Sequence, residues 1–220
     1  MAKPNKKRDK QLQRDAFRDR TLSLLDKLGD LLEGKGRLIL LVLAGAVALA
    51  VIAGLISWRN ERRHQEARQA LGRAIEISEA NVGTTPTPGA EFNFSNRDER
   101  AKRSVEEFNK VSAQHDEPFR SKARYLAATN LLVFDRDRGI AELEAVQKDN
   151  QPDTAVWAKF ALAQAREAGG EYDAAAALYN DLAQKDGLVI PADLARERLA
   201  AVYEKLGKRK EAVDILYSLV

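Results

Sequence analysis

Two patterns of hydrophobic and polar positions divide this chain. From Leu38 to Trp58 no side chain is charged, and Arg37 and Arg59 close the run at its two ends. These 21 residues make a helix of roughly 30 Å, the thickness of a bilayer's hydrocarbon core, with every backbone polar group satisfied internally. Beyond the run, apolar positions recur every three or four residues between charged ones, which predicts amphipathic helices. The chain is therefore predicted to be all-α.

The apolar run is predicted to be a permanent transmembrane anchor over residues 38–58. A cleaved signal normally has about 7–15 apolar residues near its start, followed by a cleavage site of small residues. Here 37 residues precede the run, and the helical pattern continues through Ser57, Trp58 and Arg59. The alternative of a buried core helix is disfavoured, because no second segment of the chain is equally apolar.

Small residues recur at four-residue spacing within the anchor, at Ala46, Ala50 and Gly54. This spacing puts them on one helix face, where another transmembrane helix can approach closely. The three residues are therefore a candidate transmembrane contact, with plain exposure to lipid as the alternative.

The segment before the anchor is basic, since residues 1–37 hold 11 Lys or Arg against 6 Asp or Glu. Basic tails favour the cytoplasmic side of a membrane and attract anionic headgroups. Close to the anchor, however, basic side chains are equally frequent before it and after it, so local charge favours neither orientation. Between Leu12 and Leu32, apolar residues near helical spacing predict either an amphipathic helix on the membrane or a partner, or a solvated tail.

Composition limits what the chain beyond the anchor can do, although it is long enough for one sizeable core. Residues 81–220 hold 20 Lys or Arg against 23 Asp or Glu, which argues against nucleic acid as a partner. The chain has no cysteine, which excludes disulfides, a thiolate nucleophile and a thiolate zinc site.

An internal repeat predicts paired helices. Seven positions recur 37 residues later, and most keep the same or a similar side chain. The first copy has Leu162, Ala163, Gly170, Tyr172, Ala175, Tyr179 and Leu182, and the second has Leu199, Ala200, Gly207, Arg209, Ala212, Leu216 and Leu219. This pattern is typical of tetratricopeptide repeats, in which large residues lock helix A against helix B and a glycine marks the turn.

Weaker copies lie upstream. A step back from Ala175 by the usual tetratricopeptide period of about 34 residues places a third copy at Ala141. Residues 70–77 and 101–111 have the character of a split pair. Residues 81–96 between them are rich in Pro, Gly, Thr and Asn, which predicts an irregular loop.

The predicted organisation is a short solenoid behind a membrane anchor, with the first solenoid helix running on from the anchor. Asn96 and Glu99 form a possible capping box that restarts the helix after the loop. The segments are the tail (1–37), the anchor (38–58), a juxtamembrane helix (59–80), the loop (81–96) and the repeat domain (97–220).

Stacked helix pairs present a concave face of A helices that suits peptides. In the tetratricopeptide register the candidate groove residues are Leu126, Asn130, Trp157, Phe160, Gln164, Glu197 and Ala201. The alternative for the two aromatic residues is that they pack between repeats.

Support for catalysis is weak. His64 lies in a charged helical segment, and His115 precedes Asp116 and Glu117 in a sequence more typical of a polar loop before a helix at Pro118 than of a metal site. The chain has no nucleophile elbow, phosphate-binding glycine loop or metalloprotease helix motif. The sequence predicts a protein that is not an enzyme, with no catalytic, cofactor or metal site.

A basic tail, the run "EGKGRLILLVLAGAVALAVIAGLISW", the charged helix "RNERRHQEARQALGRAI", an irregular break and degenerate repeats together resemble the YfgM-type family. The family consists of single-pass ancillary subunits of the SecYEG translocon. The resemblance implies a bacterial inner-membrane protein with a cytoplasmic N-terminus and a periplasmic repeat domain. Its implied partners are translocon subunits, periplasmic chaperones and unfolded secreted clients. The alternative is a tethering or assembly factor for another envelope complex, without client-peptide binding.

Overall fold

The computed structural model describes residues 36–83, 89, 91–185 and 189–219, and these are mostly helical. The helices are α1 (Gly36–Glu79), α2 (Arg97–Gln114), α3 (Phe119–Leu131), α4 (Arg136–Val146), α5 (Pro152–Ala168), α6 (Tyr172–Ala183), α7 (Ala192–Lys205) and α8 (Arg209–Tyr217). The prediction of a helical protein is confirmed. The amphipathic helix predicted between Leu12 and Leu32 lies outside the described residues.

The segment predicted to be an irregular loop contains a short parallel pairing. Strands β1 (Asn81–Val82) and β2 (Asn93–Phe94) are two residues each, and Gly83 N donates to Phe94 O at 2.9 Å. Helix α2 then begins as predicted, because the Asn96 side chain accepts a hydrogen bond from Glu99 N at 2.8 Å. The second half of the predicted capping box differs, since the Glu99 carboxylate accepts from Ser95 N rather than from Asn96 N.

The chain divides into two compact units between Glu61 and Arg62. In the first unit, apolar side chains of α1 are exposed along the predicted anchor, for example Leu41 at 72%. Among the described residues, α1 is the one helix long and apolar enough to cross a membrane. Helix α1 continues beyond the predicted anchor as far as Glu79.

The second unit has a core made of three hydrophobic clusters that follow the chain order of the helices. The first joins Leu71 and Ala74 of α1 to Phe108 of α2 and Ala127 of α3. The second joins α3, α4 and α5, and the third joins α5, α6 and α7. In these clusters helices α1 to α7 pack against helices near them in sequence.

The C-terminal ends of α3, α5 and α7, at Leu131, Ala168 and Lys205, recur with a spacing of 37 residues. The amide of the residue after α3, α5 and α7 donates to the carbonyl four positions earlier in each case: Leu132 to Ala128, Gly169 to Ala165 and Leu206 to Val202. For these helix ends, the spacing of the last two copies therefore also holds one helix pair upstream.

The predicted step from Ala175 back to Ala141 is wrong. Ala141 is exposed, whereas Gly139 is buried. Gly139 is the equivalent of Ala175, because each is the fourth residue of its helix. A Cβ atom on Gly139 would lie 2.8 Å from the backbone nitrogen of Leu132, so only glycine allows α4 to approach the end of α3 this closely.

Two turns between paired helices require glycine for a different reason. Gly170 and Gly207 have φ angles of +77° and +75°. The following amides, of Glu171 and Lys208, donate back to Arg166 O and Tyr203 O, each at 2.9 Å. This is the Schellman pattern of helix termination, in which a left-handed residue satisfies the last carbonyls.

Replacing Gly170 with alanine is expected to lower the free energy of unfolding by about 1–2 kcal/mol, because an L-residue is strained at this φ angle. A Cβ at Gly170 would meet nothing within 4 Å, so the effect comes from the backbone alone. Gly72→Ala is the control, since Gly72 lies within α1 with the same free space and alanine favours a helix. Denaturant unfolding of both variants measures the change in the free energy of unfolding. A loss of stability in both variants, or a gain in both, would contradict the prediction.

Candidate interaction groove

A groove of about 680 Å³ opens on the second unit. It is lined by residues of α1 and α3 and by the start of α5 with the connection before it. The apolar part of its lining consists of Leu71, Pro118, Phe119, Tyr125, Pro152 and Trp157. Its size and lining are typical of sites that bind small molecules or short peptide segments.

The groove combines buried apolar residues with an exposed indole. Leu71 is only 5% exposed and belongs to the first core cluster, and Phe119 is half-buried with its ring 5.7 Å from that of His64. Trp157, in the second turn of α5, is 43% exposed. A ligand that covers this indole would remove a large apolar surface from water.

Polar groups accompany the apolar lining. Lys122 and Asp153 bring opposite charges, so they give the groove no strong net sign. Burial raises the pKa of the Tyr125 phenol above its ordinary value, so the hydroxyl, which is neutral near pH 7 in any case, also resists ionisation at higher pH. The groove therefore offers apolar contact and neutral hydrogen-bonding partners, a combination suited to peptide backbone with apolar side chains.

The two aromatic residues of the predicted groove have different environments. Trp157 lines the groove, but Phe160 is 8% exposed and its ring packs edge-on against Tyr179 at 5.8 Å between centroids. Phe160 is therefore a core residue of the α5–α6–α7 cluster, and its assignment to the groove is corrected. For this residue the alternative of packing between repeats is the right one.

The two predicted groove residues of α3, Leu126 and Asn130, do not line the groove either. Leu126 is half-buried against the first core cluster, and the Asn130 amide donates to Leu126 O at 2.8 Å within its own helix. With a period of 37 residues, the positions equivalent to Phe160 and Gln164 are Ala123 and Ala127, and both are buried. The shorter period assumed for the upstream copy caused this error.

The remaining predicted groove residues, Gln164, Glu197 and Ala201, are exposed but do not line the groove. Sequence analysis instead missed Leu71, Phe119 and Pro152. The available signals were the helix-A character of residues 70–77 and the two prolines near the starts of α3 and α5.

The small residues of the predicted anchor are exposed in the first unit. Ala46, Ala50 and Gly54 are exposed, and a Cβ atom on Gly54 would meet nothing within 4 Å. This face is therefore accessible to lipid or to another helix.

Ion pairs join α4, α5 and α6 at the C-terminal end of α5. Arg136 Nη2, at the start of α4, donates to Glu171 Oε1 at 2.8 Å and to Ala165 O at 3.0 Å, and Arg166 also donates to Glu171. A Cβ atom on Gly169 would lie 1.9 Å from Arg136 Nη2, so glycine leaves room for this guanidinium. Hydrogen bonds from Arg136 and then Arg166 lower the pKa of the Glu171 carboxyl.

The stability contributed by Glu171 is expected to depend on pH. Because its pKa is lower in the folded state, the contribution is present above the ordinary pKa and is lost as the pH falls through the folded value. The unaltered chain should therefore exceed Glu171→Gln in stability at pH 7, and the difference should shrink towards pH 3. Urea unfolding across this range measures it. Glu197→Gln, on the exposed surface of α7, is the control. A stability difference for Glu171→Gln that does not change with pH, or an equal change with pH for Glu197→Gln, would contradict the role of Glu171.

Each of the two histidines makes a contact within the fold. His115 follows α2 and its backbone N–H bonds to Val111 O, while His64 contacts the Phe119 ring. Among the described residues, no three or more His, Asp and Glu side chains are grouped to hold a metal ion.

Comparisons with protein-family models, with curated proteins and with solved structures find no match to this chain. The case for any family therefore rests on the residues of this chain.

Proposed function

We propose that the chain is a membrane-anchored protein-interaction module. In this proposal residues 38–58 span a bilayer, and the helical unit beyond Arg62 binds polypeptide segments beside Trp157. The observation that carries the proposal is the groove itself, in which an indole 43% exposed stands next to a buried apolar surface. Exposed tryptophans in such positions are typical of residues that dominate binding energy at interfaces.

The ligand we propose is an extended segment with large apolar side chains and little charge. Its side chains would cover Trp157 and the apolar lining, and its backbone would bond to neutral groups such as the Tyr125 hydroxyl. The opposite charges of Lys122 and Asp153 give no reason for a strongly acidic or basic ligand. The unit works by binding in this proposal, without catalysis or a cofactor.

The finer proposal is an ancillary translocon subunit. Its support is the resemblance of the basic tail, the anchor and the repeats to the YfgM-type family, together with the 37-residue period of the helix pairs. The proposed topology has a cytoplasmic N-terminus, with a tetratricopeptide-like solenoid in the periplasm of a bacterial inner membrane. The proposed ligands are then periplasmic chaperones and secreted chains emerging from SecYEG.

In vivo photocrosslinking from position 157 tests the groove. A photoreactive residue there is expected to capture many secreted chains, and the same residue at Glu197, exposed on α7 away from the groove, is the matched control. Equal capture at both positions would contradict a specific groove. A single stoichiometric partner at position 157 would instead favour the tethering or assembly factor.

Crosslinking from the anchor tests the translocon association separately. Positions 46, 50 and 54 form one helix face, and positions 48, 52 and 55 lie on the opposite face. A translocon subunit is expected to crosslink from the first set and not from the second. Crosslinks to lipid alone from both faces would contradict the translocon proposal.

A further inference from the structure

The groove at Trp157 has two sides that are far apart in the sequence. Phe119, Lys122 and Tyr125 of α3 line one side, and residues 151–154 at the start of α5 line the other. A ligand that lies in the groove contacts both sides at once. The spacing between α3 and the start of α5 therefore decides how well the ligand fits.

The start of α5 has few fixed points of its own. Gln151, the residue before the helix, makes no side-chain capping hydrogen bond, and Pro152 and Asp153 are exposed. In the connection from α4, residues 147–150 are exposed or half-buried. The first fully buried side chain of α5 is that of Ala158, the seventh residue of the helix. Full burial therefore begins only in the second turn of α5.

One side chain of this connection bonds to α3. Asp149 lies two residues before Gln151, and its carboxylate accepts hydrogen bonds from Ser121 Oγ at 3.2 Å and from Arg124 Nη1 at 3.0 Å. Within the described part of the chain, no other side chain of residues 147–151 makes a hydrogen bond or an ion pair with another helix. Asp149 is therefore the polar link that joins the connection to α3.

The two donors lie beside the groove residues of α3. Ser121 directly precedes Lys122, and Arg124 directly precedes Tyr125. Ser121 is only 1% exposed, and a buried hydroxyl that loses its partner is costly, so the fold favours the position in which Asp149 is bound. Arg124 adds a charge-assisted hydrogen bond, and its side chain is 32% exposed against 25% for Asp149.

We propose that Asp149 is a positioning residue of the groove. By binding Ser121 and Arg124, it holds the start of α5 at the spacing from α3 that the ligand requires. Asp149 does not line the groove, so it acts through residues 151–154 and not by contact with the ligand. A groove that is already in its binding geometry loses less conformational entropy when the ligand binds. This inference rests on the proposed function of the groove.

The spacing is measured first without a ligand. The chain has no cysteine, so Lys122→Cys with Asp153→Cys allows one spin label on each side of the groove. In the full chain in lipid nanodiscs, dipolar electron paramagnetic resonance gives the distribution of distances between the labels. Asp149→Ala is expected to broaden this distribution. Glu142→Ala is the matched control, because Glu142 of α4 pairs with Arg124 at 3.6 Å but does not belong to the connection.

Binding is then measured with a defined probe, the labelled peptide Gly-Ser-Leu-Ser-Phe-Ser-Leu-Ser-Gly with blocked ends, by fluorescence anisotropy. Asp149→Ala is expected to weaken binding about threefold to tenfold, the effect of one further group to be ordered on binding. Ser121→Ala removes one of the two donors and should weaken binding less. Asp149→Asn should also weaken it less, because the amide oxygen can still accept a hydrogen bond. Glu142→Ala should leave the affinity unchanged, and thermal unfolding checks that each variant is folded.

Trp157→Ala distinguishes two kinds of failure. If the peptide does not bind, or binds equally to the unaltered chain and to Trp157→Ala, the proposed function fails and the role of Asp149 fails with it. If Trp157→Ala loses binding while Asp149→Ala keeps it, only the role of Asp149 is overturned. Equal effects of Asp149→Ala and Glu142→Ala on the label distances or on the affinity would also overturn it, by showing a general effect on the fold.

Discussion

Replacing Phe160 with alanine is expected to lower the free energy of unfolding by about 3–5 kcal/mol, the usual effect of removing a buried phenylalanine. Phe160 is 8% exposed, packs edge-on against Tyr179 and belongs to the cluster that joins α5, α6 and α7. Its removal would leave a cavity and deprive Tyr179 of its aromatic partner. The Tyr179 side chain would then pack less tightly. Its hydroxyl donates a hydrogen bond to Glu167 at 2.8 Å, and the geometry of this bond depends on that packing.

Trp157→Ala is the matched comparison, since it removes a larger side chain three residues away on the same helix. Because Trp157 is 43% exposed, we expect a loss of stability of about 1 kcal/mol or less, with the main loss in peptide capture. Thermal or denaturant unfolding followed by circular dichroism compares the variants. A loss at Trp157 equal to that at Phe160 would contradict the separation of core and groove.

Two charges at the centre of the apolar run are expected to abolish membrane anchoring. Each arginine at the middle of a transmembrane helix costs about 2.5–3.5 kcal/mol on insertion scales, so Val47→Arg with Val51→Arg costs about 5–7 kcal/mol. Both valines are exposed in α1, so lipid is the proposed environment of both side chains. Fractionation of cells that make the double variant is expected to show a large loss from the membrane fraction.

Val47→Leu with Val51→Leu is the control, because it keeps the run apolar and should leave fractionation unchanged. Full membrane retention of the arginine variant would show that another part of the chain holds it there.

The sequence predicts a feature well where the feature depends on neighbouring residues. The charge-free run sets the length of the apolar part of α1, Asn96 caps α2, and the glycines at positions 170 and 207 mark turns because only glycine adopts their φ angles without strain. The 37-residue period follows from the recurrence of such local signals.

Features that depend on packing between distant segments were not predictable in the same way. The upstream pair was placed with a period of about 34 residues, whereas α3 and α5 end 37 residues apart, and this displaced Leu126 and Asn130 along α3. Trp157 and Phe160 are three positions apart on one helix, and the packing of Tyr179 decides which is buried. Leu71 enters the groove from α1, a helix far upstream of α3 in sequence.

Alkaline extraction of membranes containing the full chain tests the central claim most directly, namely that an uncleaved apolar helix holds the helical unit at a bilayer. The washed membrane pellet is analysed for the protein and for its N-terminal residue. We expect the chain in the pellet, with the segment up to Trp58 still attached. Recovery in the supernatant, or an N-terminus beyond Trp58, would contradict the account.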